Sequence, residues 1–293
     1  MTGPARVGLA DGSPLTLSIA RHLIAAGHRL TAYAPSWADA RQMEEAGAEL
    51  VTAPAQLAHC DVVINGLVDT GAKAAFYLHD DGLLKAARPG QLFVDHTIVD
   101  PSQARHLAER AARRGAGFLD VPLTGGVQKA RQGRLIAVVG GETQHLDLAR
   151  PLLNAYCADI VHAGPVGRGT ELQLIGHMLV SVHAVAAAEA AALIARLGLP
   201  PRESKRVLMS APAASSMLDH CLPAAFTTSE IESGATIGGL LHAQSLAADL
   251  AARLDVPVRL LPAVRGQFAA LIRRGRARHD LSQLARAYDH EAA

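Results

Sequence analysis

The chain is short of lysine, short of cysteine and nearly without net charge, and each shortage excludes something. Its 293 residues carry a formal net charge of +1, so there is no electrostatic case for nucleic acid or an anionic membrane as partner. The only lysines are Lys73, Lys85, Lys129 and Lys205, and a GC-rich genome explains the preference for arginine. Cys60, Cys157 and Cys221 are an odd, widely spaced set without metal-site spacing, which reads as free thiols in a reducing cytoplasm. The N-terminus lacks the basic-then-apolar pattern of a signal peptide. One long apolar run exists, Met178–Ile194, but it contains His183 and Glu189. Its periodicity suits a buried helix better than a membrane span. What remains is a cytoplasmic globular chain, 49% apolar and 19% charged, long enough for one large domain or two ordinary ones.

The first half alternates short apolar runs with helical patterns. Strands are expected at Arg6–Ala10, Arg29–Tyr33, Glu49–Val51, Val62–Gly66, Leu92–Asp95, Gly117–Val121, Ile136–Gly140 and Asp159–His162. Helices fit at Pro14–Ala26, Ala38–Ala46, Ala72–Phe76 and Ser102–Arg114. This alternation predicts a parallel sheet covered on both faces. After Gly164 the strand signals stop. Glu171–Leu197 reads as one long helix closed by Gly198, Pro200 and Pro201, followed by helical patterns at Arg202–Ser210, Ile237–Leu254 and Pro262–Arg274. The expected organisation is a doubly wound α/β domain over residues 1–163 and an all-α domain over 164–293, joined by the long helix.

Three stretches carry a family likeness. Gly164-Pro-Val-Gly167-Arg-Gly169-Thr-Glu-Leu-Gln173-Leu-Ile-Gly176-His177 resembles the interdomain helix start G-x-x-G-x-G-x-x-x-K-x-x-N-[NH] of the β-hydroxyacid dehydrogenase family, the group of 3-hydroxyisobutyrate dehydrogenase and tartronate semialdehyde reductase. Asp120-Val-Pro-Leu-Thr124-Gly125-Gly126, followed by Ala130, Gly133 and Leu135, resembles that family's substrate loop D-A-P-V-S-G-G. Asp95-His96-Thr97-Ile98-Val99-Asp100-Pro101 resembles its D-x-S-T-I-x-P stretch. Here His96 reads as a turn residue, and Asp100 or Ser102 as a helix cap. The likeness runs from about Val7 to Tyr288. It implies a Rossmann-like domain, an NAD(P) cofactor and a small carboxylate-bearing substrate held by the Thr124 hydroxyl and the amides of Gly125 and Gly126. It also implies assembly through the helical domain. The alanine-rich face around Ala184–Ala192 suits tight helix packing, so a homodimer is expected.

Set against the family pattern, the chain departs at four places. Counting back from Ala26-Gly27-His28, the glycines of the dinucleotide fingerprint belong at positions 11, 13 and 16, where the chain has Asp11, Ser13 and Thr16 around Gly12. Those glycines make the tight turn, admit the pyrophosphate and let the helix approach the strand. A carboxylate about 4 Å from a phosphate at an effective dielectric of about 20 costs close to 4 kcal/mol, roughly a thousandfold in affinity. A shifted fingerprint through Gly8, Ala10 and Ser13 ends the strand too early. After the second strand, Ala34-Pro35-Ser36 offers neither an acid for ribose hydroxyls nor a base for a 2′-phosphate. At the third place the family's K-D-L-x-L-A falls on His242-Ala243-Gln244-Ser245-Leu246-Ala247. The catalytic lysine itself is Gln173, and a carboxamide cannot act as a general acid.

Gln173, Gly176 and His177 share one helix face, and His242 replaces the second lysine. With Thr124 they form a candidate cluster in which two imidazoles could move protons near neutral pH. A zinc site on His177 and His242 lacks a carboxylate or cysteine at motif spacing. Three functions stay open. One is a family member without lysine-assisted hydride transfer that keeps a small-carboxylate cleft and performs non-redox proton transfer. The second is an NAD(P)-dependent reductase of a carbonyl or imine that uses an altered cofactor loop. The third is a non-catalytic partner of an active paralogue.

Overall fold

The computed structural model describes residues 5–67, 76–80, 82–227 and 235–288. The chain forms two compact units, Met1–Gln173 and Leu174–Ala293.

The first unit is built on a twisted sheet. Strands β1 (Arg6–Ala10), β2 (Arg29–Tyr33), β3 (Glu49–Val51), β4 (Val62–Asn65), β5 (Leu92–Asp95) and β6 (Gly117–Asp120) lie in the order β3-β2-β1-β4-β5-β6, all parallel. This is the strand order of a doubly wound dinucleotide-binding fold, which places a crevice at the carboxyl ends of β1 and β4. The strand residues divide alternately between two cores. Val62, Ile64, Leu92, Val94 and Leu119 enter one, with α1 (Pro14–Ala25) and its Ile19 and Leu23. Val63, Phe93 and Phe118 enter the other, with Leu57, Leu83, Leu107 and Ala111. Period-two side-chain alternation in strands buried on both faces accounts for their continuous apolar runs.

Beyond β6 the pairing changes direction. β8 (Leu135–Gly140) runs antiparallel to β6 and to β7 (Leu123–Thr124), and β9 (Cys157–Gly164) runs parallel to β8. The pairs Asp120–Gly140, Leu123–Ala137 and Thr124–Ile136 keep one register, and the Val138 N–H donates to the Pro122 carbonyl at 3.1 Å. β7 is therefore the continuation of β6 past Pro122, and it carries Thr124 beyond the parallel sheet. This antiparallel edge departs from the all-parallel expectation.

Further α-helices of this unit are α2 (Trp37–Glu45), the short α3 (Leu83–Ala86), α4 (Pro101–Ala112), α5 (Gly126–Arg131) and α6 (Thr143–Leu153), with a 3-10 helix at Pro54–His59. Sequence periodicity missed α6, because Pro151 inside it reads as a break. The helix expected at Ala72–Phe76 falls at residues 72–75 outside the described residues.

The long helix α7 (Arg168–Arg196) begins in the first unit and continues into the second. By length and composition alone it could cross a membrane. Its Ala184, Ala187, Ala188 and Ala191 instead enter a core with Cys221 and Leu222 of α9 (Ser216–Ala225), Ile237 and Leu240 of α10 (Ile237–Arg253) and Val264 and Phe268 of α11 (Leu261–Arg273). It is the internal helix of this unit. α8 (Pro201–Met209) is largely exposed, and α9 was hidden from periodicity by Pro223.

Candidate functional site

The turn between β1 and α1 stands at the crevice. Its first residue, Asp11, adopts φ +115, a conformation in which glycine is the ordinary occupant. The Asp11 amide donates to the Tyr33 carbonyl at 3.0 Å. Its side chain turns inward, with the residue only 8% exposed, and accepts from the Thr16 hydroxyl at 3.0 Å. Ser13 caps α1 and Pro14 occupies the first helical turn. Burial pushes the Asp11 carboxyl above the usual carboxylate range, against the opposing hydrogen bonds of Ser13, Gly12 and Thr16.

Two neighbours close over this turn. A Cβ at Gly12 would lie 2.2 Å from the Asp39 Cβ, so the first turn of α2 packs directly on the loop. The Ser36 hydroxyl holds Asp39 there, donating to its carboxylate at 2.6 Å and accepting from its amide at 3.1 Å. A Cβ at Gly66 would lie 2.4 Å from the Thr16 methyl. The bulk gained at Thr16 is thus matched by the side chain missing at Gly66.

The second candidate place is the β7–α5 loop. Thr124 is exposed, and its hydroxyl donates to Gln173 Oε1 at 3.0 Å. The Gln173 amide in turn donates to the Leu123 carbonyl at 3.4 Å. Gln173 is 7% exposed, so the carboxamide is a tie between α7 and the β7 backbone. Gly125 and Gly126 take φ of +132 and +65. Lys129 lays its stem along the loop, since a Cβ at Gly125 would stand 2.9 Å from both its Cβ and its Cδ. Sequence reasoning gave Lys129 no role, because only the turn of α5 brings it back over Gly125.

Asp120 was read only as part of the loop motif. It is buried, and it accepts from the amides of Gly167 at 2.7 Å and Thr170 at 2.8 Å and from the Thr170 hydroxyl at 3.0 Å. It therefore satisfies the free N–H groups at the start of α7. Burial raises its pKa against those bonds. Gly169 is needed beside it, because a Cβ there would lie 2.7 Å from the Val138 carbonyl.

His96 lies in the turn between β5 and α4, as expected. It is buried beneath the loop, with Nδ1 2.6 Å from the Val121 carbonyl and Nε2 3.0 Å from the Tyr156 hydroxyl. A carbonyl can only accept, so Nδ1 carries the proton and Nε2 accepts from Tyr156. Burial lowers the His96 pKa to about 4. Asp100 caps α4 as expected, accepting from the Ser102 amide at 2.8 Å.

The two remaining candidates lie in the second unit. His177 is half-buried on α7, and burial lowers its pKa to about 4. The Ser181 hydroxyl donates to the His177 carbonyl at 2.8 Å, and Gln244 donates to that hydroxyl at 3.0 Å. His242 is exposed on α10, and Gly176 has open space around it. Among the described residues, no three His, Cys, Asp or Glu side chains are placed to share a metal ion.

Comparison with known proteins places this architecture. Residues 10–164 match the NAD binding domain of 6-phosphogluconate dehydrogenase, and residues 167–288 match the NAD-binding domain of NADP-dependent 3-hydroxyisobutyrate dehydrogenase. The chain belongs to the β-hydroxyacid dehydrogenase family. Mitochondrial 3-hydroxyisobutyrate dehydrogenase of Mus musculus is 31% identical over 69% of the chain, a match that spans only 60% of that relative's length. The NAD-dependent L-serine dehydrogenase of Pseudomonas aeruginosa is 29% identical over 97% of both chains. In fold, the structure of Mycobacterium tuberculosis 3-hydroxyisobutyrate dehydrogenase with L-serine agrees with a TM-score of 0.84 at 24% identity, covering 97% of this chain and 99% of that one. The β1–α1 turn and the Thr124–Gly126 loop both lie within the residues that match the NAD binding domain.

Proposed function

We propose that this chain is a β-hydroxyacid dehydrogenase family member that binds a small carboxylate at the Thr124–Gly126 loop and does not transfer hydride from a nicotinamide. The observation that carries this reading is the Gln173–Thr124 tie. The group at the family's lysine position is buried, bears no titratable proton and is hydrogen-bonded to Thr124 and Leu123. The cofactor end supports the same reading. The residues of the β1–α1 turn do not fit a dinucleotide, since the buried Asp11 carboxylate is bonded to the Thr16 hydroxyl of the first helical turn and Asp39 stands against Gly12. The Ala34–Ser36 segment adds no base for a 2′-phosphate.

The chemistry left to such a protein is proton transfer, with the imidazoles of His177 and His242 as candidates. His177, neutral at pH 7 because burial lowers its pKa to about 4, suits accepting a proton better than donating one. The carboxylate would be held by the backbone of Gly125 and Gly126 and by the Lys129 ammonium, whose stem lies along Gly125. L-serine and 3-hydroxyisobutyrate, named for the relatives, are the first compounds to try. The same reading takes the protein as a cytoplasmic homodimer, which light scattering after gel filtration checks.

Calorimetry with L-serine, 3-hydroxyisobutyrate and related acids, without nicotinamide, tests the assignment. A bound acid that binds at least about fivefold more weakly to the Lys129→Ala variant is expected, in line with loss of one charge-assisted contact. Oxidation of these acids with NAD or NADP as acceptor, by the unaltered protein, would overturn it.

A further inference from the structure

We infer that Asp11 is an internal replacement for the pyrophosphate of a dinucleotide, and that its side chain is the principal group keeping nicotinamide dinucleotides out of the first unit. The inference rests on the reading of the chain as a family member that does not use nicotinamide, and it names the device responsible.

The start of α1 lies at the carboxyl end of β1, in the crevice formed where the strand order reverses between β1 and β4. A helix start offers N–H groups and a positive dipole end that favour a negative charge. Here the negative charge comes from the chain. The Asp11 backbone keeps φ +115, so the turn retains the path that a glycine would take, and the side chain this residue adds points back to the helix. Its carboxylate takes the Thr16 hydroxyl, and the backbone of Gly12 and Ser13 favours its charged form. A phosphate placed at that helix start would meet a carboxylate already hydrogen-bonded there.

The surroundings are packed to match. Thr16, which would crowd the strand if β4 ended in a larger residue, has Gly66 opposite it. Gly12, which could admit a ligand from the side of β2, has Asp39 against it, fixed by Ser36. Each enlarged or charged position is met by a complementary one, as in a repacked structural turn.

The test uses the full chain and its single tryptophan. Trp37 opens α2, is 79% exposed, and lies two residues from Asp39. Energy transfer from Trp37 to bound NADH or NADPH therefore reports occupancy of this crevice. The expected result is no binding by the unaltered protein up to millimolar cofactor. Asp11→Gly, which suits the φ of the turn, should bind at least about tenfold more tightly. Asp11→Asn preserves the shape and the bond from Thr16 but removes the charge. It should fall between the two, and it keeps the test decisive if Asp11→Gly folds poorly. If neither variant binds more tightly than the unaltered protein, the inference fails and the non-nicotinamide reading stands. Micromolar binding by the unaltered protein overturns the inference. Hydride transfer by that same protein overturns the reading as well.

Discussion

Asp11 and Asp120 are both buried acids at the start of a helix, and they make opposite uses of the same physics. Asp120 takes the free amides of Gly167 and Thr170, so a side chain from β6 anchors the first turn of α7. Asp11 takes the Thr16 hydroxyl in the first turn of the helix that follows it. In both, burial raises the pKa while hydrogen bonds pull it down, so the carboxylates stay only because donors surround them. Replacing Asp120 with Ala should cost about 3 kcal/mol, because two buried amides and a hydroxyl lose their acceptor. Asp120→Asn, which keeps one acceptor oxygen, should cost less. Urea denaturation of the full chain measures both, and an unchanged midpoint in Asp120→Ala would remove its anchoring role.

At the scale of elements, the decisive contact is between α7 and β7. Gln173 spans them, bonded to the Thr124 hydroxyl and the Leu123 carbonyl. Restoring the family residue with Gln173→Lys should therefore not restore a dehydrogenase. The ammonium has no acceptor for the Thr124 proton, and the β1–α1 turn with its Asp11 is unchanged. The expected outcome is no nicotinamide reduction with L-serine or 3-hydroxyisobutyrate, together with a loss of about 1–2 kcal/mol in stability from the broken tie and the buried charge. Absorbance of reduced nicotinamide and a thermal melt read the two effects separately. Steady turnover by this single variant would mean that a working cofactor end had survived.

For the whole molecule, each unit holds a histidine that burial keeps neutral. His96 in the first and His177 in the second have pKa values lowered to about 4, against about 6.5 in an unfolded chain. Between those values the unfolded state binds the proton and the folded state does not. Stability from these groups is thus fully present above about pH 6.5 and is lost as pH falls toward 4. For His96 the loss reaches about 3 kcal/mol. Urea midpoints taken from pH 7.5 to 4 should fall accordingly. His96→Phe should be less stable at pH 7, because Val121 and Tyr156 lose their partner, yet should show a shallower fall with acid. Equal slopes for the two proteins would contradict the buried neutral imidazole.

The alternation of strands and helices, the change of class after Gly164, the long helix and the family were all legible in the sequence. Those features depend on local apolar periodicity, on caps such as Asp100, and on short motifs whose residues are neighbours in the chain. Pro151 and Pro223 hid two helices, because proline near the end of a helix looks like its termination. The antiparallel β8 escaped as well, since a short apolar run does not carry its own direction. The site was legible only in part. Asp11 and Gln173 could be seen as departures, but what they touch could not. That Asp39 closes on Gly12, that Gly66 makes room for Thr16, that His96 is a buried link to Tyr156, and that Gln173 ties down Thr124 are contacts between residues far apart in sequence. The chain fixes its local conformations residue by residue, whereas these pairings exist only after strand register and helix packing have brought distant backbone within a few ångströms, and at that distance a missing Cβ or one hydrogen bond decides what the site admits.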